Sequence, residues 1–257
     1  GSDAHGRRPE GISAVTAAQV RVHPSKQALA DAIAARLVGA IIDAVAERGV
    51  ANVSLTGGSM GSALIASLVQ TPARDAIDWS KVVIWWGDER YLPAGDPDRN
   101  DTQNDEAGLS SLGLDPANIH RVPGPDTSAS AEASAQAYGQ ELRDAGAFDV
   151  MILGVGPDGH VASLFPHHPA ARTTGELTVA VHDSPKPPPD RVSLTFEALG
   201  RSRRVWFVVA GGDKADAVRR GVGPSDPDDT PASAVKGTDE TLWLVDRDAA
   251  ADLGGVA

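Results

Sequence analysis

Cysteine is absent from all 257 residues, which removes a disulfide framework, a thiolate metal site and a cysteine nucleophile together. No apolar run approaches the roughly 18 residues that a membrane-spanning helix needs. The opening residues, GSDAHGRRPEGIS, lack the apolar stretch of a secretory signal, so a cytoplasmic location is the default expectation. Positive charge is scarce: 23 Lys and Arg stand against 35 Asp and Glu, a net charge of −12. A general nucleic-acid binder would carry a basic face instead, so neither nucleic acid nor a membrane is an expected partner. The same deficit constrains any anionic ligand, whose site must be assembled locally from backbone N–H groups and a few convergent cations. Metal-binding patterns are missing too. His167 and His168 are adjacent rather than at helical zinc spacing, and no H-E-x-x-H occurs, so neither metal nor cofactor is expected.

What remains is ordinary for a globular chain: 41% hydrophobic and 23% charged residues, in a length that suits one large α/β domain. Leu29, Ile33, Leu37, Ile41 and Val45 recur every four positions. That predicts a helix over 25–48, capped by Ser25 and stopped by Gly49. A strand over 51–56, the turn Gly57-Gly58, a helix over 59–69 and a strand over 81–86 follow. The stretch 92–103 is polar and rich in Pro, Asp and Gly, so it reads as loop, with helices near 104–112 and 129–145. FDVMIL at 148–153 is the strongest buried-strand signal. Strands over 177–181, 204–209 and 241–245 and a helix over 212–220 complete the order. Strands alternating with helices imply an α/β fold, an open, mostly parallel Rossmann-like sheet with helices on both faces. A flexible tail over 1–23 before a single domain over 24–257 is expected, with the Pro-rich segment 185–189 as a stiff connector.

Ligands of such sheets bind beyond the carboxyl ends of the strands, and that is where the unusual residues fall. Gly57, Gly58 and Ser59 open a helix, where free N–H groups and the helix dipole favour an anion. The plain alternative is a tight turn with Ser59 as the cap. Gly57-Gly58-Ser59-Met60-Gly61 also matches G-x-S-x-G, the nucleophile elbow of serine hydrolases. It follows the first expected strand, however, with no earlier strands to build an oxyanion hole. Gly154, Gly156 and Gly159 spell G-x-G-x-x-G, but Pro166 and Pro169 come too soon for a packed crossover helix. The same turn carries Asp158 and His160, an imidazole with a nearby carboxylate and hence a natural proton acceptor; a structural histidine is the bland alternative. Asp88, Glu89 and Arg90 follow a buried strand. They are either a solvated loop or polar groups for sugar hydroxyls with Arg90 for a phosphate. Lys214, at a helix start after Gly211-Gly212, either neutralises a phosphate or is a surface lysine.

Six segments together resemble the 6-phosphogluconolactonase family: SLTGGSMG, WWGDERYLP, FDVMILGVGPDGHVASLFP, KPPPDRVSLTFEAL from Lys186, VWFVVAGGDKADAV and TLWLVDRDAA. They run in the family's order from about Ser54 to Ala250. The resemblance implies a fold shared with glucosamine-6-phosphate deaminases and a small-molecule sugar-phosphate lactone as substrate. It implies hydrolysis of 6-phospho-D-glucono-1,5-lactone to 6-phosphogluconate in the oxidative branch of the pentose phosphate pathway, without metal. The family's base lands on His160, and the neighbouring Asp158 is expected to orient or charge its imidazole. The phosphate and sugar contacts land on Gly57, Gly58, Ser59, Arg90, Lys214 and Arg191, beside Asp88, Glu89 and Gly156. A monomer is expected. The sister deaminases carry Asn-Glu-Pro soon after the histidine, where this chain has Ser163-Leu164-Phe165-Pro166. Two further alternatives stay open: a serine-type esterase or lactonase using Ser59, and a non-catalytic sugar-phosphate sensor domain.

Overall fold

The computed structural model describes residues 16–254. Fifteen elements order the site: β1 (Ala18–His23), α1 (Lys26–Arg48), β2 (Ala51–Leu55), α2 (Gly58–Gln70), β3 (Val82–Trp86), β4 (Asp88–Arg90), α3 (Asn100–Glu106), α4 (Ala131–Arg143), β5 (Phe148–Leu153), β6 (Thr178–Val181), β7 (Arg191–Leu194), α5 (Phe196–Leu199), β8 (Ser202–Val209), α6 (Ala215–Val222) and β9 (Glu240–Asp246). Six strands pair in parallel in the order β1-β9-β8-β5-β2-β3. This is the α/β architecture expected from the alternating pattern.

The period of two along each strand decides which layer each side chain joins. Val150 and Ile152 of β5, Trp206 and Val208 of β8 and Leu242 and Leu244 of β9 pack with α1 and α2 on one face. Their neighbours Met151, Leu153, Val205, Phe207, Trp243 and Val245 pack with α4 and α6 on the other. Strands buried on both faces read as continuous apolar runs rather than alternating ones, which is why FDVMIL stands out. Helix α1 lays Leu29, Ile33, Leu37 and Ile41 on the sheet. Ser25 caps it through the Ala28 N–H at 3.1 Å, and Gly49, at φ +79°, ends it in the left-handed conformation.

Three features depart from the sequence reading. The expected flexible tail over 1–23 is corrected at its end: Ala18–His23 is an edge strand whose partner, β9, lies more than 200 residues away. The rest of that tail, residues 1–15, lies outside the described residues. The expected loop over 92–103 and helix near 104–112 are replaced by α3, which starts at Asn100, and a 3₁₀ turn over Leu109–Ser111. Finally, β4, β7 and β6 form a small antiparallel sheet over the carboxyl ends of the main strands. Asp88, Glu89 and Arg90 are therefore strand residues rather than a solvated loop. Among the described residues, no helix is long and apolar enough to cross a membrane.

Candidate active site

The chain leaves β2 toward β3 on one side, then returns to place β5 on the other side of β2. A crevice opens at such a reversal. A cavity of about 280 Å³ lies there, walled by the segments that follow β2, β3 and β5 and closed over by the small sheet.

The glycine-rich turn after β5 builds the first half of the site. Gly159, at φ +90°, bends the chain back. The Gly156 N–H then bonds the His160 carbonyl at 3.0 Å. This places His160 Nδ1 2.6 Å from Asp158 Oδ1, and the same oxygen accepts the His160 backbone N–H at 3.0 Å. A side chain at position 156 is impossible in this arrangement, since a Cβ there would lie 2.1 Å from His160 Nδ1 and 2.7 Å from Asp158 Oδ1. Partial burial raises the Asp158 pKa, but the His160 hydrogen bond and charge, with Lys186 nearby, outweigh it and hold the carboxyl down to about 2. A carboxylate on Nδ1 fixes the tautomer with Nδ1–H donating, leaving Nε2 as the basic nitrogen. His160 lines the cavity, while Asp158 stands behind it.

The second half is cationic. Arg90, Lys186, Arg191 and Lys214 line the cavity against one carboxylate, Asp88. A chain of net charge −12 thus carries a locally positive pocket, as an anionic ligand requires. Arg191 is buried. It donates Nη2 to the carbonyls of Lys186 at 3.1 Å and Pro187 at 3.2 Å and stacks over Phe165 at 5.5 Å. Burial lowers its pKa, with Arg90 adding repulsion, without threatening a guanidinium's charge near neutrality. Lys214, in the 3₁₀ turn after β8, donates to the Val155 carbonyl; burial lowers its pKa as well. Arg90 donates to the Asp98 carbonyl at 2.7 Å. Gly57 and Gly58, the start of α2, complete this wall, with the positive end of the helix dipole at the cavity.

Gly57, Gly58, Asp88 and Arg90 meet around this cavity, as do Gly156, His160, Arg191 and Lys214. Two expected ligand contacts do not join them. Glu89 is 1% exposed, because strand alternation turns it away from Asp88 and Arg90 and into the protein. Its carboxyl accepts the N–H groups of Asn100 at 2.7 Å and Asp101 at 3.1 Å, capping α3, with Arg99 3.9 Å away. Burial, with the Asp101 carboxylate beside it, raises the pKa of this carboxyl. Glu89 is an internal cap, not a sugar contact. Ser59 is exposed and does not line the cavity. The cap of α2 is Gly57, not Ser59, and the left-handed strain of the turn falls on Gly58, at φ +75°, rather than on the serine that a nucleophile elbow would strain.

Lys186 and Asn100 line the cavity too, and the sequence reading assigned them no role. Lys186 was legible as the lone cation in the Pro-rich segment. Asn100 was not, because α3 has no Ser, Thr or Asp at its cap position, which is Arg99. Its cap comes from Glu89, eleven residues upstream. Among the described residues, no group of three His, Cys, Asp or Glu stands close enough to hold a metal ion.

A family model described as glucosamine-6-phosphate isomerases/6-phosphogluconolactonase matches residues 24–243. A 6-phosphogluconolactonase of Streptomyces coelicolor is 49% identical over 246 residues, covering 91% of this chain and 94% of the relative. One of Mycobacterium tuberculosis is 45% identical over 243 residues, covering 91% and 98%. The crystal structure of a 6-phosphogluconolactonase from Thermotoga maritima superposes with a TM-score of 0.78 at 27% identity, covering 90% of this chain and all of that one.

Proposed function

The chain belongs to the family of glucosamine-6-phosphate isomerases and 6-phosphogluconolactonases, and from that premise we propose that it hydrolyses 6-phospho-D-glucono-1,5-lactone to 6-phosphogluconate in the oxidative branch of the pentose phosphate pathway. The observation that carries this reading is one cavity pairing an Asp-oriented imidazole with four cationic side chains. Such a pocket suits an ester joined to a phosphate.

In this mechanism the phosphate sits against the start of α2 and the Arg191 and Lys214 cations. Anchoring it there holds C1 before His160, so attack becomes effectively unimolecular. His160 Nε2 takes a proton from a water as its oxygen bonds C1. Asp158 accepts the Nδ1–H throughout and stabilises the imidazolium. The tetrahedral intermediate then expels the ring oxygen, breaking its bond to C1, and His160 returns the proton to it. General-base catalysis of this kind supplies about 10²–10⁴-fold. No covalent intermediate is required.

The sister reaction, ammonia release from glucosamine 6-phosphate, is disfavoured. Where those enzymes carry Asn-Glu-Pro this chain runs Ser163-Leu164-Phe165-Pro166, so that glutamate is absent. The test is hydrolysis of freshly generated lactone, coupled to the next dehydrogenase and set against the spontaneous rate. The wild type is expected to run far above the blank, His160→Ala to fall to the blank with 6-phosphogluconate binding nearly intact, and Ser59→Ala to keep turnover close to wild type. A dead Ser59→Ala with a mild His160→Ala would install the serine mechanism instead. Binding of 6-phosphogluconate without turnover would favour a sensor.

A further inference from the structure

Asp88 is a lone carboxylate among cations. Arg90, Lys186, Arg191 and Lys214 share its cavity, and an unrestrained carboxylate there would swing onto the nearest of them. An ion pair of that kind would remove an acceptor for a sugar hydroxyl and a cation for the phosphate in one movement. Asp88 is restrained from two sides. Ser163, fully buried, donates Oγ–H to Asp88 Oδ2 at 2.6 Å. Asn100, 4% exposed, donates Nδ2 to the Asp88 backbone carbonyl at 2.9 Å and reaches Oδ1 at 3.4 Å.

Asn100 is itself immobilised. Its backbone N–H is tied to buried Glu89 at 2.7 Å. Its side-chain oxygen occupies space that only a glycine leaves open, since a Cβ at Gly57 would lie 2.1 Å from Asn100 Oδ1. One amide thus touches the ends of three segments around the cavity: the turn after β2, strand β4 and the start of α3. Neither Asn100 nor Ser163 has a charge or a basic atom suited to the chemistry.

We infer that Asn100 is a positioning residue which, with Ser163, holds the Asp88 carboxylate away from the cavity's cations and aims it at a substrate hydroxyl. This inference rests on the lactonase reading of the same site. It acts on ground-state binding: loss of either donor weakens the phosphorylated sugar in substrate and transition state alike, so KM rises and kcat is little changed.

The test combines lactone kinetics with calorimetric binding of 6-phosphogluconate for Asn100→Ala and Ser163→Ala, each also in an Asp88→Asn background. Each single variant is expected to raise KM and the product Kd by about tenfold or more, the usual scale for a hydrogen bond to a charged group. In the Asp88→Asn background, where no carboxylate is left to collapse, the same substitutions are expected to add almost nothing. Effects that multiply with Asp88→Asn, or a fall in kcat at unchanged KM, would overturn the inference. Ser163→Ala, remote from the α3 cap, keeps the test decisive if Asn100→Ala unfolds. A wild type that binds 6-phosphogluconate but does not turn over the lactone would sink the lactonase reading alone, because the Kd comparison still reads the positioning role.

Discussion

Replacing Gly156 by Ala isolates the geometry of the His160–Asp158 pair without touching either residue. The new methyl would sit 2.1 Å from His160 Nδ1, 2.2 Å from its Cε1 and 2.7 Å from Asp158 Oδ1. Ordinary contacts between such atoms need about 3.5–4.0 Å, so the imidazole must retreat by more than about 1 Å. Residue 156 is not in the left-handed region, so the backbone tolerates alanine and the clash falls on the side chains. The ring also packs against Phe165, at 4.5 Å between centroids, so its movement disturbs that contact as well. A displacement of about 1 Å costs on the order of 10²-fold in a positioned reaction. The expected result is a kcat down about 100-fold in the coupled lactone assay, with KM close to wild type because the cations lining the cavity are untouched. Wild-type turnover by Gly156→Ala would refute the placement of His160, and a Gly156→Ala variant that loses 6-phosphogluconate binding would show that Gly156 serves something else.

Glu89→Ala is expected to uncap α3 by leaving the N–H groups of Asn100 and Asp101 without their acceptor, lowering unfolding free energy by about 2 kcal/mol or more in urea titrations; a change under about 0.5 kcal/mol, the scale of a surface substitution, would contradict the internal-cap role. Asp158, held at about 2 against an ordinary 3.8, has a depressed folded pKa, so its contribution to stability is present above pH 3.8 and is lost as pH falls toward 2. Thermal unfolding across that window should therefore fall more steeply for wild type than for Asp158→Asn, and parallel curves would contradict the pairing. For the same reason the acid limb of the activity profile is not expected to follow the Asp158 carboxyl, and a limb centred near 2 would show otherwise. A fluorophosphonate probe is expected to leave Ser59 unlabelled, as its side chain is exposed and away from the cavity; stoichiometric labelling would revive the serine mechanism.

Local chemistry made much of this protein legible. The four-residue repeat of α1 and its Ser25 and Gly49 boundaries are written in contiguous residues, and so is the doubly buried run of β5. The turn 154–160 carried both the glycines that bend it and the Asp158–His160 pair it presents, because a short loop closes its own hydrogen bonds. Other features depend on residues far apart in the chain. Strand β1 exists because β9 offers it a parallel edge, which no pattern within 18–23 announces. Helix α3 starts at Asn100 because Glu89 reaches across to cap it, so its first turn looked like loop. Glu89 itself was misread because three consecutive charges imply solvent, whereas pairing of β4 with β7 alternates them in and out. Sequence alone determined that strands and helices alternate and that polar, glycine-rich turns follow the strands. Only the tertiary structure decided which turns face one another, because strand order is set by how the apolar faces of distant segments bury together. That packing brings the cations of positions 90, 186, 191 and 214 around one cavity with His160, in a protein whose overall charge is negative.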